Sequence, residues 1–537
     1  MSRLVKIAAA ATSRARNASA MAIGTLLSRV TGLGRLAVLS WALGISSLSD
    51  VFNLSNNAPN TFFDLLIGGV LASTMIPVMV KASSRVSDLE ASEAMSAIVT
   101  VSMAALIAAT LVFELIAGIV IQGYMLGNHS PDRTIQLVAA TNLLRFFAPQ
   151  LFFYGLVSVL TSVLNTRGRF ALPAFAPVAN NLVAIATLVA FHLLFGSLNT
   201  KDAIASLGHF SPALLLLGLG TTAGVGLQCL VVILGMRNHG YHLRFNFDVF
   251  HPAIREIGRL SGWTFGYVLG NQISLFVILA LADAHSPGSV SAYNNAYLFF
   301  QLPYGIAAYS IMAAIIPGLA ASFSHGELRQ FRRSLTRGTT ISVALLIPAS
   351  FGYLAMGSQI TELLLGHGAA RAHGIELTTR SLYALAIGLP GFGAYLASIQ
   401  ALQAARLARA VFRVYAIENG LTVVLAFALV SKLGVFGLSL AVSVSYSIAT
   451  VFALRELAKR HLGPNLASVS RVWMKFLPPS IAMAVITKVV SNYLGPATGA
   501  KLMAELIVEL IAGIMAFGLT LWISYSLSLL AIRRRTH

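Results

Sequence analysis

Apolar residues dominate this chain in runs of about 20, each long enough to cross a hydrocarbon core of roughly 30 Å. Between Ser19 and Ile532 the pattern predicts about fourteen such runs, far too long for barrel strands, so the backbone must satisfy its own hydrogen bonds as helices. The predicted fold class is an all-α integral membrane protein, a polytopic helical bundle.

Polar residues interrupt that pattern at helical spacing. Arg29 and Arg35 lie in the first apolar run, and Asp50, Asn53, Asn57, Asn60 and Asp64 recur every three or four residues in the second. That spacing puts the five along one side of a single predicted helix. An ionised group in hydrocarbon costs on the order of 3 kcal/mol, so such a stripe belongs against a bundle interior or a water-filled cavity. The chain is therefore expected to bind or move something polar within a membrane.

The pattern is also written twice. Pro149 with Tyr154 is matched by Pro390 with Tyr395, Ile76–Pro77 by Ile316–Pro317, and Asn180 with Leu182 by Asn419 with Leu421. The stripe recurs as Ser291, Asn294 and Gln301, at the spacing of Asp50, Asn53 and Asn60. The offset of about 240 residues spans six helices, so the repeats run parallel, as in secondary transporters with a site between two bundles. The expected organisation is a first six-helix lobe over 1–240, a second over 241–465, joined by the basic segment Arg237 to Arg255, and a C-terminal helix pair over 466–537.

Composition agrees with a membrane protein: 57% hydrophobic and 10% charged residues, with a mean hydropathy of +0.78. The net charge of +19 would point to nucleic acid in a soluble protein. Here it gathers at alternate loops, Arg3 to Arg16, Lys81 and Arg85, Arg167 and Arg169, Arg329 to Arg337, Arg406 to Arg413 and Arg533 to Arg535. That is the positive-inside distribution, which predicts both termini cytoplasmic and an even number of spans. No basic patch is interleaved with stacking aromatics in a soluble segment, so no nucleic-acid partner is expected. The single cysteine, Cys229, excludes an internal disulfide and is read as a packing residue. The basic start runs into a full span without a clear cleavage site, which makes it a retained first helix.

The run NTRGRFALPAFAP from Asn165 to Pro177 makes the chain resemble the MurJ (MviN) family of lipid II flippases, within the multidrug/oligosaccharidyl-lipid/polysaccharide exporter superfamily. Further similarity lies in Ser28-Arg29-Val30 with Gly32 and Arg35, in Ser49-Asp50, in Pro59-Asn60, and in Gly288 to Ser291 leading to Gln301 and Pro303. The resemblance covers both lobes and implies twelve helices plus two. It implies translocation of undecaprenyl-diphosphate-linked peptidoglycan precursor from the inner to the outer leaflet of the cytoplasmic membrane, by alternating access across a central cavity. The terminal helix pair would help to seat the polyprenyl tail. Membrane lipids, a coupling cation and cell-wall synthesis proteins are the further partners it implies, and no cofactor.

Guanidinium groups suit a diphosphate because they stay charged and bind phosphate oxygens bidentately, so Arg29 and Arg35 are the candidate headgroup ligands. Six residues apart, they are separated by about 120° on an ideal helix, and a local break at Gly32 and Gly34 is the expected way to bring both to one cavity. The alternative is an ion pair with Asp50 or Asp64. Asp50, Asn53, Asn57, Asn60, Ser291, Asn294 and Gln301 are the candidate polar ligands for sugar or peptide, and helix-to-helix bonding is the competing role. The chain departs from better-known members at Phe63-Asp64 and near Leu298, where an arginine is expected in each lobe. Glu418 and Asn419 occupy the helix where relatives that use sodium place polar ligands, which makes them the candidate ion-coupling pair. Arg145 and Glu114, on neighbouring spans, are expected to neutralise one another.

Three rival readings remain. An enzyme acting on the same lipid would need paired carboxylates, a nucleophile with its base or a metal constellation, and the sequence holds no His-Glu-x-x-His. An exporter of another lipid-linked oligosaccharide, or a multidrug-type exporter of the same superfamily, shares the twelve-helix repeat. The glycines from Gly218 to Gly226, and Gly262, Gly266 and Gly270, are read as helix-packing positions.

Overall fold

The computed structural model describes the backbone of residues 2–68, 88–166, 169–238, 246–248, 262–495 and 497–535, and side chains outside 2–19, 22, 67–68, 88–94, 166, 238, 262–264, 307 and 527–535. Among the described residues all regular structure is helical. The chain divides into two compact units, Met1–Gln272 and Ile273–His537. Ile76–Pro77, Lys81, Arg85, Arg167 and the linker residues 239–245 and 249–255 lie outside the described residues, as do the side chains of Arg3 to Arg16 and Arg533 to Arg535.

The first unit contains α1 (Ser2–Leu43), α2 (Ser47–Phe63), α3 (Asp88–Tyr124), α4 (Arg133–Phe147), α5 (Pro149–Thr166), α6 (Ala171–Phe195), α7 (Thr200–Leu207) and α8 (Pro212–Asn238), and the start of α9 (Gly262–His285). Its core is built where α3, α5 and α8 meet: Met95, Ile98 and Val99 pack with Leu156, Val159, Leu160 and Val163, and with Val232. Cys229 is a free, buried thiol in the same cluster, as a small packing residue would be. The α8 glycines do let helices approach. A Cβ at Gly218 would lie 2.7 Å from Phe146, at Gly220 2.5 Å from Thr187, and at Gly224 2.7 Å from Asn180. Gly270 does not fit its packing assignment, since a Cβ there would meet nothing within 4 Å.

The second unit continues with α10 (Ser289–Pro303), α11 (Tyr309–Ser324), α12 (Leu328–Leu365), α13 (Ala372–Ala404), α14 (Ala408–Ala458), α15 (Leu466–Leu494) and α16 (Gly499–Arg535). Hydroxyls stitch α13 to α14: Ser381 Oγ lies 2.5 Å from Ser439 Oγ, and Ser443 Oγ donates to the Ala384 carbonyl at 2.8 Å. The terminal pair α15 and α16 pack on one another and on α12.

Eleven helical stretches among the described residues are long and apolar enough to cross a membrane, α4 and α5 counting as one, and the bent pair α10 and α11 passes the same test when taken together. The 51 residues of α14 would measure about 76 Å as one straight helix, more than twice a bilayer core. They are a hairpin instead. Arg413 Nη2 lies 3.1 Å from Glu456 Oε2, a pair that a straight helix would hold about 65 Å apart. The turn is at Gly434, with φ 57° and ψ −137°, a conformation essentially reserved for glycine. With α2 running on toward residues outside the described ones, the count is compatible with fourteen.

The repeat is visible in the backbone. A single π-helical turn follows Pro59 at Asp64–Gly68, and another follows Pro303 at Tyr304–Ala308. Proline cannot donate the i to i−4 bond, and the widened turn downstream absorbs the mismatch. α10 and α11 are bent by 51° across theirs.

Candidate functional site

Helix α1 is unbroken from Ser2 to Leu43, which corrects the break expected at Gly32 and Gly34. Those glycines form its contact with α6 instead, where a Cβ at Gly32 would lie 3.7 Å from Asn181 and one at Gly34 3.8 Å from Ile185. Asn181 Nδ2 also donates to the Ser28 carbonyl at 3.2 Å and to Thr31 Oγ1 at 3.0 Å, clamping the segment in helical form. The 120° separation therefore persists: Arg29 is exposed, and Arg35 is half-buried.

Arg35 joins a polar cluster drawn from five helices. At its centre is Tyr154 of α5, whose side chain hydrogen-bonds with Asn60 of α2 and Asn180 of α6, with the Arg35 guanidinium acting on it electrostatically. Asn180 Nδ2 donates to Gln228 Oε1 of α8 at 3.2 Å. Among the described residues no ion pair joins Arg29 or Arg35 to a carboxylate. Asp64 Oδ2 accepts from Gln272 Nε2 at 3.3 Å, so the ion-pair alternative for the arginines is not formed. Arg145 Nε faces Glu114 Oε1 at 4.0 Å, as neighbouring spans allow.

The rest of the α2 stripe is graded in depth. Asp50 is buried and Asn53 half-buried, each engaged in an interaction, and Asn57 has a buried Nδ2 without a hydrogen-bond partner among the described residues. The opposite face of α2 is held by Ser55 Oγ, which donates to the Ala140 carbonyl of α4 at 2.8 Å, and by Phe52 edge-on to Phe147. That docking turns the asparagines away from α4.

In the second unit, Ser291 and Asn295 of α10 are buried and engaged in interactions, whereas Asn294 Nδ2 is buried with no hydrogen-bond partner among the described residues. Gln301 hydrogen-bonds with Tyr297. The Tyr297 hydroxyl lies 3.5 Å from that of Tyr446, and the ring of Tyr395 is 5.2 Å from Tyr446 and 6.0 Å from Tyr415. Glu418 of α14 is 3% exposed and acts electrostatically on Tyr293, Tyr297, Tyr395 and Tyr446. Its recorded hydrogen bond is from Thr422 Oγ1 at 3.3 Å, while Asn419 Nδ2 turns back to the Tyr415 carbonyl at 2.9 Å. The structure thus surrounds Glu418 with tyrosines that sequence reasoning left aside. The available signal was Tyr395, the repeat partner of Tyr154.

The family model for the lipid II flippase MurJ matches residues 39–509. The chain is 24% identical over 472 residues to the lipid II flippase MurJ of Burkholderia cenocepacia, covering 86% of each protein. It is 27% identical over 439 residues to the probable lipid II flippase MurJ of Thermotoga maritima, covering 81% of this chain and 83% of that one. Among solved structures it is similar to a lipid II flippase MurJ in an inward closed conformation, with a TM-score of 0.75, 20% identity, and coverage of 95% of this chain and 99% of that one. A more distant likeness is an inward-facing multidrug resistance MATE transporter, with a TM-score of 0.63, 12% identity, and coverage of 82% and 96%. The chain belongs to the MurJ lipid II flippase family.

Proposed function

We propose that this protein carries lipid II from the inner to the outer leaflet of the cytoplasmic membrane by alternating access, with both termini cytoplasmic. The observation that carries this reading is the family match over most of the chain. The local chemistry supports it. Arg35 has no carboxylate partner among the described residues, and a guanidinium beside Tyr154, Asn60 and Asn180 offers charge and hydrogen bonds to a diphosphate. Arg29, exposed on the same helix, serves the headgroup at another stage of the cycle. The unpartnered amides of Asn57 and Asn294 are donors for sugar or peptide oxygens. A buried donor left unpaired costs about 1–3 kcal/mol, which a bound acceptor recovers.

Glu418 is the proposed cation-coupling residue, with Asn419 beside it. A buried carboxylate amid tyrosines, without an ion-pair partner among the described residues, favours a small cation at that position. The terminal pair α15 and α16 presents exposed apolar side chains such as Ile507, Ile511 and Ile514, a surface suited to the polyprenyl tail.

The test is a cell depleted of its own lipid II flippase and expressing this chain, probed with an impermeant enzyme that cleaves lipid II at the outer face. Restored cleavage, lost again in a folded Arg35→Ala variant, is the expected result. Normal membrane expression without restored cleavage overturns the substrate assignment.

A further inference from the structure

A polar cavity of about 820 Å³ opens where the end of α12, the start of α13, the end of α15 and the start of α16 meet, all within the second unit. Its charged lining is Glu362, Glu376, Glu505 and Glu509 against Arg380 and Lys488. Arg380 is consumed by Glu376, at 2.6 Å. Lys501 reaches Glu505 at 3.6 Å from outside the lining. Glu509 is the deepest member, 2% exposed. It is held by side-chain hydrogen bonds with Ser491 and Gln359, themselves bonded to each other at 2.6 Å, while its Oε2 has no partner. Glu505, one turn away, is 8% exposed.

Two buried carboxylates one turn apart repel, and Lys501 at 3.6 Å from Glu505 leaves Glu509 Oε2 without a partner among the described residues, so a further positive group is favoured there. A metal ion does not fit, because among the described residues no three His, Cys, Asp or Glu side chains converge on one point, and the space is that of a small-molecule pocket. The cavity also holds a rim cation, since Lys488 is exposed and acts electrostatically on Glu509 without forming a direct ion pair among the described residues. Negative depth with a positive rim is complementary to a zwitterion whose ammonium enters first and whose phosphate stays at the mouth. Around it the helix surfaces are apolar and exposed, with Val485, Val489, Tyr493, Met503 and Ile507 between 51% and 90% accessible. Acyl chains fit beside such a mouth. α12 begins with Arg329, Arg332, Arg333 and Arg337 and ends at the cavity, which on the proposed topology puts the site at the outer face.

We propose that this cavity binds the headgroup of an aminophospholipid, phosphatidylethanolamine, with its primary ammonium on Glu505 and Glu509 and its phosphate on Lys488. The site is separate from the polar clusters around Tyr154 and Glu418 and ties the terminal helix pair to α12 through a lipid. It does not depend on which headgroup the protein translocates.

The experiment is native mass spectrometry of the purified, delipidated full-length protein, titrated with phosphatidylethanolamine, its mono- and dimethyl derivatives and phosphatidylcholine. Each methyl removes an N–H donor, so affinity should fall stepwise, by about tenfold across the series. Glu509→Gln and Glu505→Gln should level the series to within about twofold while phosphatidylcholine binding stays unchanged. Equal affinity across the series overturns the proposal, and the series needs no variant to be read. So does a preference that survives both substitutions. Soluble phosphoethanolamine binding as tightly as the lipid overturns the lipid assignment in favour of a free headgroup.

Discussion

The two lobes place different chemistry at matching positions. Tyr154 and Tyr395 are repeat partners, as are Asn180 and Asn419, and Asn60 and Gln301. In the first unit the tyrosine has hydrogen bonds to two asparagines and a guanidinium nearby. In the second, its hydroxyl has no hydrogen-bond partner among the described residues, and the neighbouring charge is the carboxylate of Glu418 amid further aromatic rings. One scaffold thus carries a cationic, donor-rich cluster in one copy and an anionic, aromatic one in the other. On the proposed function, the difference would separate two tasks that a symmetric pair would confuse, recognition of an anionic headgroup and retention of a cation.

Removing Arg35 is the strongest way to break that division. Arg35→Ala should lower lipid II translocation at least about tenfold, since charge-assisted contacts contribute roughly 1.5–3 kcal/mol. Arg35→Lys should recover only part, because an ammonium lacks the bidentate fork. Outer-face cleavage of lipid II, normalised to membrane-inserted protein, gives the measurement. Full activity in a folded Arg35→Ala protein would dissolve the first half of the comparison.

Glu418→Gln tests the other half with a smaller effect. Translocation in proteoliposomes should lose its dependence on sodium or protons, with headgroup affinity changed less than about twofold. An ion dependence identical to that of the unsubstituted protein removes Glu418 from coupling. A loss of headgroup binding equal to that of Arg35→Ala would mean that both clusters serve the substrate.

Much of this was legible before any coordinates. Long apolar runs fix helices and their approximate number, because hydrocarbon leaves the backbone no other partner. Pro59 and Pro303 are visible in the sequence of corresponding helices, and a π-helical turn follows each within a few residues. The fate of Arg29 and Arg35 was not legible. Helical geometry gives their angular separation, but whether the glycines between them bend or pack depends on Asn181, 150 residues from Thr31 in sequence. The tyrosines around Glu418 were hidden for a similar reason. Tyr293 and Tyr297 on α10, Tyr395 on α13 and Tyr446 on α14 each look like ordinary membrane aromatics, and only the fold makes them neighbours.

The finest test substitutes the repeat partners themselves. Tyr154→Phe removes a hydroxyl bonded to Asn60 and Asn180, leaving two amides short of a partner beside Arg35. A hydrogen bond of this kind contributes about 1 kcal/mol net, so headgroup affinity should weaken by about fivefold. Tyr395→Phe removes a buried hydroxyl that bonds to nothing, and its ring contacts with Tyr415 and Tyr446 survive the change. Thermal stability should hold or rise slightly, because an unsatisfied buried group is lost at no cost in packing. Equal effects from the two substitutions would mean that the hydroxyls do the same work in both lobes. Unequal effects in the stated order would place the asymmetry in the surroundings of each tyrosine, since ring and repeat position are shared while Tyr154 is half-buried and Tyr395 fully buried.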